Sequence, residues 1–199
     1  MGLHTVGGIS AEKSLHTLQG NDHCDPEHPK LSLDPTCAPT SLPTPTLPPF
    51  GVQLNSVTSA DLDSYGCSVC YLQIYPKATT SNDIRGCTGP NLFVGGRATG
   101  SSTFKLGAFD TSAVILTETQ LNTPHLSNGV YWYFTKFKSF GFSRNLSIRQ
   151  NEADILSIDG DARLSWHLDF DMGGYRLGSI PPYLNDATTY QKAIYNCPA

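Results

Sequence analysis

The sequence has no long apolar run, little charge and no basic excess. Lys and Arg number 13 against 17 Asp and Glu, a formal net charge of −4, and charged residues make up 15% of the 199-residue chain. Soluble domains usually reach about 25%. Without surplus positive charge there is no electrostatic footprint for a polyphosphate backbone, so no nucleic acid partner is expected. No stretch approaches the ~20 consecutive apolar residues of a membrane helix, so no membrane span is expected either. No long helical period appears, and the 18 Gly and 14 Pro are too dense for a bundle or coiled coil. The start, Met1-Gly2-Leu3-His4, has no basic and then apolar leader, and Val6 stands where a myristoylation signal needs Ser or Thr.

What is present begins with six cysteines: Cys24, Cys37, Cys67, Cys70, Cys87 and Cys197. An even number, irregularly spaced in a weakly charged chain, predicts disulfides and an extracellular or cell-surface setting. That setting requires the numbering to begin on a mature or trimmed form. Cys24 and Cys37 are expected to bridge locally. Cys67 and Cys70 would bond each other only with strain, being three apart on one strand. They are expected to bond Cys87 and Cys197, in an order left open, with Cys197 tying the last strand to the start of the domain. A zinc ribbon would want a second close pair, and Cys87 and Cys197 stand alone. A thioredoxin-like motif would want a βαβ pattern, which is missing. Asn145-Leu-Ser is the only glycosylation sequon.

Composition changes near residue 50. Residues 1–34 are too few and too polar to bury a core and read as an N-terminal arm. Residues 35–50 form a Pro/Thr-rich linker, and 51–199 a β domain. Eight prolines fall between Pro26 and Pro49. They fix φ and remove donors, so the stretch reads as extended and polyproline-like, with Thr40, Thr44 and Thr46 as O-glycan acceptors. Within the arm, Leu3–Ile9 and Lys30–Asp34 have strand character. Leu3, Val6 and Ile9, or Leu31 and Leu33, are the candidate partner-binding residues of a donated strand.

From Phe50 onward the pattern is β. Strands are predicted near Val52–Thr58, Ser68–Tyr75, Asn91–Gly95, Thr103–Phe109, Ala113–Thr119, Val130–Phe137, Ser139–Ser143, Leu146–Arg149, Ile155–Ile158, Arg163–Leu168, Tyr175–Ile180 and Tyr190–Tyr195. Turn residues separate them, Asn128-Gly129 being a good hairpin turn. Many short strands at this spacing predict an all-β fold: an immunoglobulin-like sandwich of short antiparallel strands with an extended Pro-rich N-terminal arm. In Tyr131-Trp132-Tyr133-Phe134 both faces carry large rings, so both are expected to be covered.

Chemistry-bearing clusters are weak. Asp61/Asp63, Asp159/Asp161 and Asp169/Asp171 are Asp-x-Asp pairs. Asp159 and Asp161 make the best calcium candidate, but lack the rest of a calcium loop, and turn chemistry is the stronger reading. No other cofactor or metal is expected. His23-Cys24-Asp25-Pro26-Glu27-His28 reads as a polar stretch of the arm rather than a metal cluster. Glu118, Glu152, Asp169 and Asp171 are not spaced to select a hydrolytic pair. No Gly-x-Ser-x-Gly elbow exists, and Ser165 and His167 share a strand face rather than pair as nucleophile and base. No catalytic residue is assigned. Trp166, His167, Tyr175 and Arg176 could offer a sugar-binding face, but a hairpin turning Leu164, Trp166 and Leu168 together into the core is the stronger reading.

The segments Arg163-Leu-Ser-Trp-His, Gly173-Gly-Tyr-Arg-Leu-Gly-Ser, Leu184-Asn185 and Tyr190-Gln-Lys-Ala-Ile-Tyr-Asn-Cys197 resemble the end of uncharacterised secreted β-rich domains. Leu92-Phe-Val-Gly-Gly and Ser139-Phe-Gly-Phe-Ser resemble earlier parts of the same domains. The resemblance spans about residues 67–197 and implies a fold and an extracellular setting, with no activity. The architecture itself is similar to that of donor-strand pilus subunits. The expected function is therefore a structural subunit of an extracellular filament or surface fibre. It would bind copies of itself head-to-tail, with the arm as donor and glycans on its surface. The rival readings are a secreted carbohydrate-binding or adhesive sandwich on a stalk, and a secreted hydrolase.

Overall fold

Alternating apolar residues and turn signals close into two sheets over the residues that the computed structural model describes: 49–145, 162–180 and 184–199. They belong to a unit that runs from Thr44 to Ala199. The order is β1 (Gly51–Leu54), α1 (Ser59–Ser64), β2 (Ser68–Ile74), α2 (Ser81–Arg85), β3 (Asn91–Ala98), β4 (Phe104–Thr111), α3 (Ser112–Ile115), β5 (His125–Ser127), β6 (Val130–Thr135), β7 (Ser139–Ser143), β8 (Leu164–His167), β9 (Gly174–Leu177), a 3-10 turn (Leu184–Asp186) and β10 (Tyr190–Cys197). The first sheet has the order β1-β4-β3-β10-β2 and the second β5-β6-β7-β8-β9. All pairs are antiparallel. The protein is an all-β sandwich. Its second sheet is a meander of consecutive strands, and its last strand returns to the first sheet. That order does not establish the immunoglobulin connectivity expected from the sequence.

Two cores follow from the alternation of side chains along the strands. Between the sheets lie Leu92, Val94, Leu106, Ala108 and Ile194 of the first and Trp132, Phe134, Phe140, Phe142, Leu164, Trp166 and Leu177 of the second. Leu168 joins them, so the hairpin from Arg163 turns Leu164, Trp166 and Leu168 inward as the pattern predicts. The opposite face of the first sheet is also covered. Phe93, Phe109, Ala193 and Tyr195 pack there with Phe104, Val57 and Leu62 of α1. β3 is therefore buried on both faces, which explains its unbroken apolar run. Burying each large side chain contributes about 1.5–3 kcal/mol relative to leaving it in water.

Two disulfides close this framework. Cys67–Cys197 joins β10 to the segment entering β2, and Cys70–Cys87 joins β2 to the segment after α2. The expected partners are thus Cys67 with Cys197 and Cys70 with Cys87, the order the sequence left open.

Local signals place the other elements. Asn128 and Gly129 take φ values of 49° and 75° and link β5 to β6 with Ser127 opposite Val130, a two-residue hairpin turn of the kind that needs positive φ at both positions. The strand predicted over Val52–Thr58 stops at Leu54. Thr58 caps α1 instead, accepting from the Asp61 backbone while the Asp61 carboxylate accepts from the Thr58 backbone. The strand predicted over Ala113–Thr119 is a correction too: Thr111 caps the short helix α3 there, overriding the β-branched pair Val114-Ile115. The arm, nearly all of the linker and the strands predicted at Leu146–Arg149 and Ile155–Ile158 lie outside the described residues.

Candidate functional site

Four strand edges flank the two sheets, and they differ. β1 has four residues and β5 three. β9 is buried along its length and packs against the 3-10 turn. β2 has seven residues, is largely exposed, and has a strand partner on one side only among the described residues. Natural edge strands are usually blunted by charge, proline or shortness. Ser68-Val-Cys-Tyr-Leu-Gln-Ile contains neither a charge nor a proline.

Register shows what this edge presents. β10 pairs with β2 through Gln191–Ile74, Lys192–Gln73, Ala193–Leu72, Ile194–Tyr71 and Tyr195–Val69, with a bulge between the last two. Tyr75 N–H donates to the Tyr190 carbonyl at 2.9 Å. Hydrogen-bonded pairs alternate in an antiparallel ladder, so Leu72 and Ile74 direct their N–H and C=O groups away from β10. Their side chains share the face of Ala193 and Tyr195, and the bulge brings Val69 onto it as well. Val69 is 50% exposed, and Leu72 and Ile74 are each 38% exposed. Among the described residues this leaves an unpaired backbone edge with an apolar stripe beside it.

The edge is held rigidly from both ends. The two disulfides fix its start. At its far end, the segment after Ile74 is clamped by Lys192, whose side chain is wholly buried. Lys192 Nζ donates to the Lys77 carbonyl at 2.5 Å, Thr79 Oγ1 at 2.6 Å and the Gly173 carbonyl at 3.3 Å, and lies 5.9 Å from the Trp166 ring centre. Burial pulls its ammonium down to about 7, while the Asp83 carboxylate acts the other way. The Tyr71 hydroxyl shares a hydrogen bond with Thr79 Oγ1 at 2.7 Å, and burial pushes Tyr71 up to about 12. Gly173 fits because it has no side chain: a Cβ there would meet the Tyr75 carbonyl oxygen at 2.1 Å. Asp169 extends the clamp, its carboxylate accepting from the Ser81 N–H at 2.7 Å and from the Ser81 hydroxyl. Burial opposes its charge, but these Ser81 bonds, a Phe137 backbone bond and the Lys136 ammonium hold it below the usual carboxylate range.

Asn145 is exposed just past β7. Leu3, Val6, Ile9, Leu31, Leu33, Cys24, Cys37, Thr40, Thr44, Thr46, Asp159 and Asp161 lie outside the described residues. Asp61 caps a helix and Asp169 holds Ser81, so neither Asp-x-Asp pair among the described residues converges on a common point. No group of three His, Cys, Asp or Glu that could hold a metal gathers among the described residues. The suggested sugar-binding face does not form: Trp166 is in the core, Tyr175 and Arg176 are buried, and His167 is half-buried. Arg176 instead pairs in register with Ser165 on the outer face of the second sheet, where burial and then the charge of Arg163 lower its basicity. A cavity of about 320 Å³ lies between Leu54, Lys105, Ser179 and Tyr190, with Lys105 the only charge in its lining.

The stripe of Val69, Leu72 and Ile74 was hidden from the sequence by the bulge, which breaks strict alternation. Lys192 could have been found by parity, since it shares a strand face with Ile194. No protein-family model, no curated protein and no solved structure matches the chain.

Proposed function

We propose that this protein is a non-enzymatic structural subunit of an extracellular filament or surface fibre, assembled head-to-tail by strand addition at the β2 edge. One observation carries the reading: the seven-residue, charge-free, apolar-flanked edge of β2, fixed at both ends and with no second strand partner among the described residues. An extended segment gains main-chain hydrogen bonds at such an edge and apolar contacts beside it. The β1 edge lies at the opposite side of the same sheet, and the preceding 50 residues lead into it. A donor that leaves at β1 and an acceptor at β2 are different surfaces, so their contact is heterologous and propagates unless its rotation closes a ring. The two disulfides support an oxidising, extracellular setting. No helix among the described residues is long and apolar enough to cross a membrane. Exposed Asn145 suits a glycan on the fibre surface. The carbohydrate-binding alternative loses its support with Trp166 and Tyr175 in the interior.

Sedimentation velocity with negative-stain microscopy of the full-length oxidised protein tests the proposal. The expected result is a concentration-dependent series ending in fibres, arrested by Leu72→Lys with Ile74→Lys. A single monomeric species at every concentration contradicts it.

A further inference from the structure

The acceptor edge has a length, a face and a polarity, and these select one segment of the chain. The bulge at the start of β2 leaves Tyr71–Ile74 as its regular part. There the free backbone groups belong to Leu72 and Ile74, whose exposed side chains lie on the outer face, while exposed Gln73 between them belongs to the other face. A guest strand that continues this pattern needs two apolar residues two apart, with a polar residue between them. It needs few residues in all.

Resting on the strand-donation reading above, we propose that the donor is Lys30-Leu31-Ser32-Leu33-Asp34 of a second copy of this chain. It adds antiparallel to β2, the sense used by every pair already in the sheet. Leu31 lies opposite Ile74 and Leu33 opposite Leu72, extending the apolar stripe on the outer face, and Ser32 lies opposite Gln73. The segment is bounded by Pro29 and Pro35, neither of which has an N–H to add to a ladder, so the donor length matches the short regular stretch of the edge. The other candidate, Leu3–Ile9, fits less well. Its Leu3 and Ile9 share a face only with Thr5 and Gly7 between them, and Val6 points to the opposite one.

Chain length decides between a second copy and the same molecule. Residues 35–50 separate the donor from β1. In a proline-rich extended form they reach about 50 Å at ~3.1 Å per residue. Four strand spacings of ~4.8 Å separate β1 from β2 in the sheet order, about 19 Å. The Phe50 ring packs on Phe109 at 5.3 Å between centres, which anchors the chain where it enters β1. An extended spacer that begins there would reach past its own far edge to a neighbour's.

The test uses the full chain, with synthetic peptides as probes. Peptide 28–36 added in excess during fibre growth occupies free β2 edges, and growth slows by about tenfold or more. The same peptide with Leu31→Asp and Leu33→Asp leaves growth unchanged. The full-length double variant Leu31→Asp with Leu33→Asp keeps the wild-type melting temperature and forms no fibres. Growth that ignores peptide 28–36, or that yields only to peptide 1–11, overturns the segment assignment while strand donation stands. A wild-type chain that never assembles defeats strand donation itself.

Discussion

The two sheets reach the same architecture by opposite routes. The second is local: β5 to β9 follow one another in sequence and pair in that order, and Asn128-Gly129 sets its first turn. Among the described residues it carries no disulfide. The first gathers β1 to β4 from the front of the domain and β10 from its end, so its central pairings close long loops. Loop closure costs entropy before contacts repay it. That sheet is the one with covalent ties, one of them spanning 130 residues. It is also the one with the long open edge. The covalent ties and the longest exposed edge thus fall on the same sheet.

This contrast is broken or sharpened by substitution. The largest effect is expected from Cys67→Ser with Cys197→Ser, which removes the long closure and costs roughly 5 kcal/mol in the chain-entropy account. Amide exchange should speed up in β2 and β10 before β6 and β7, measured by mass spectrometry on the reduced-loop variant. Equal acceleration in both sheets would contradict the division. Gly173→Ala comes next, at roughly 3 kcal/mol or more, because its Cβ would strike the Tyr75 and Lys77 carbonyl oxygens at 2.1 and 2.2 Å. Its chemical-denaturation midpoint should fall without a change in slope.

Lys192, on β10 of the first sheet, gives a pH signature. Its folded value of about 7 lies below the ordinary lysine value. The unfolded chain therefore binds the proton more tightly, and stability is lost as pH falls towards 7. Conversely it rises with pH above 7, by roughly 2 kcal/mol between about pH 7 and pH 9. Raised Tyr71 and Tyr75 act in the opposite direction only near and above the ordinary tyrosine value, so the window below it isolates Lys192. Urea titrations of Lys192→Met should show no such rise. A variant that keeps the wild-type slope would assign the titration elsewhere. The smallest effect is expected in the second sheet: Gly129→Ala forces a side chain to φ 75° and costs about 1–2 kcal/mol.

Every strand of the first sheet has a predicted counterpart and β5 (His125–Ser127) of the second has none, yet the pairing of the second sheet is the more legible for the same physical reason. Ser139–Ser143 is predicted and found with the same bounds, and the Asn128-Gly129 turn is where its dipeptide puts it. Local chemistry encodes local pairing. The neighbours of β10 could not be read that way, because nothing local to Tyr190–Cys197 names β2 or β3. The two cysteine pairs were narrowed to two orders, and three-dimensional proximity chose between them. α1 was missed because its six polar-rich residues show no helical period and rest on the Thr58 cap, and α3 because the Thr111 cap outweighs the β-branched pair Val114-Ile115. The edge stripe escaped because one bulge shifts alternation by a residue. Strand acceptance is an expectation of the sequence; that β2 is the long, charge-free edge became visible only in the structure.

Hydrogen exchange at the Leu72 and Ile74 amides tests the central claim most directly. Strand addition predicts rapid exchange in dilute monomer, where both N–H groups point away from β10, and strong protection once the protein has assembled. Protection already complete in the monomer, or rapid exchange persisting in the assembled material, would contradict it.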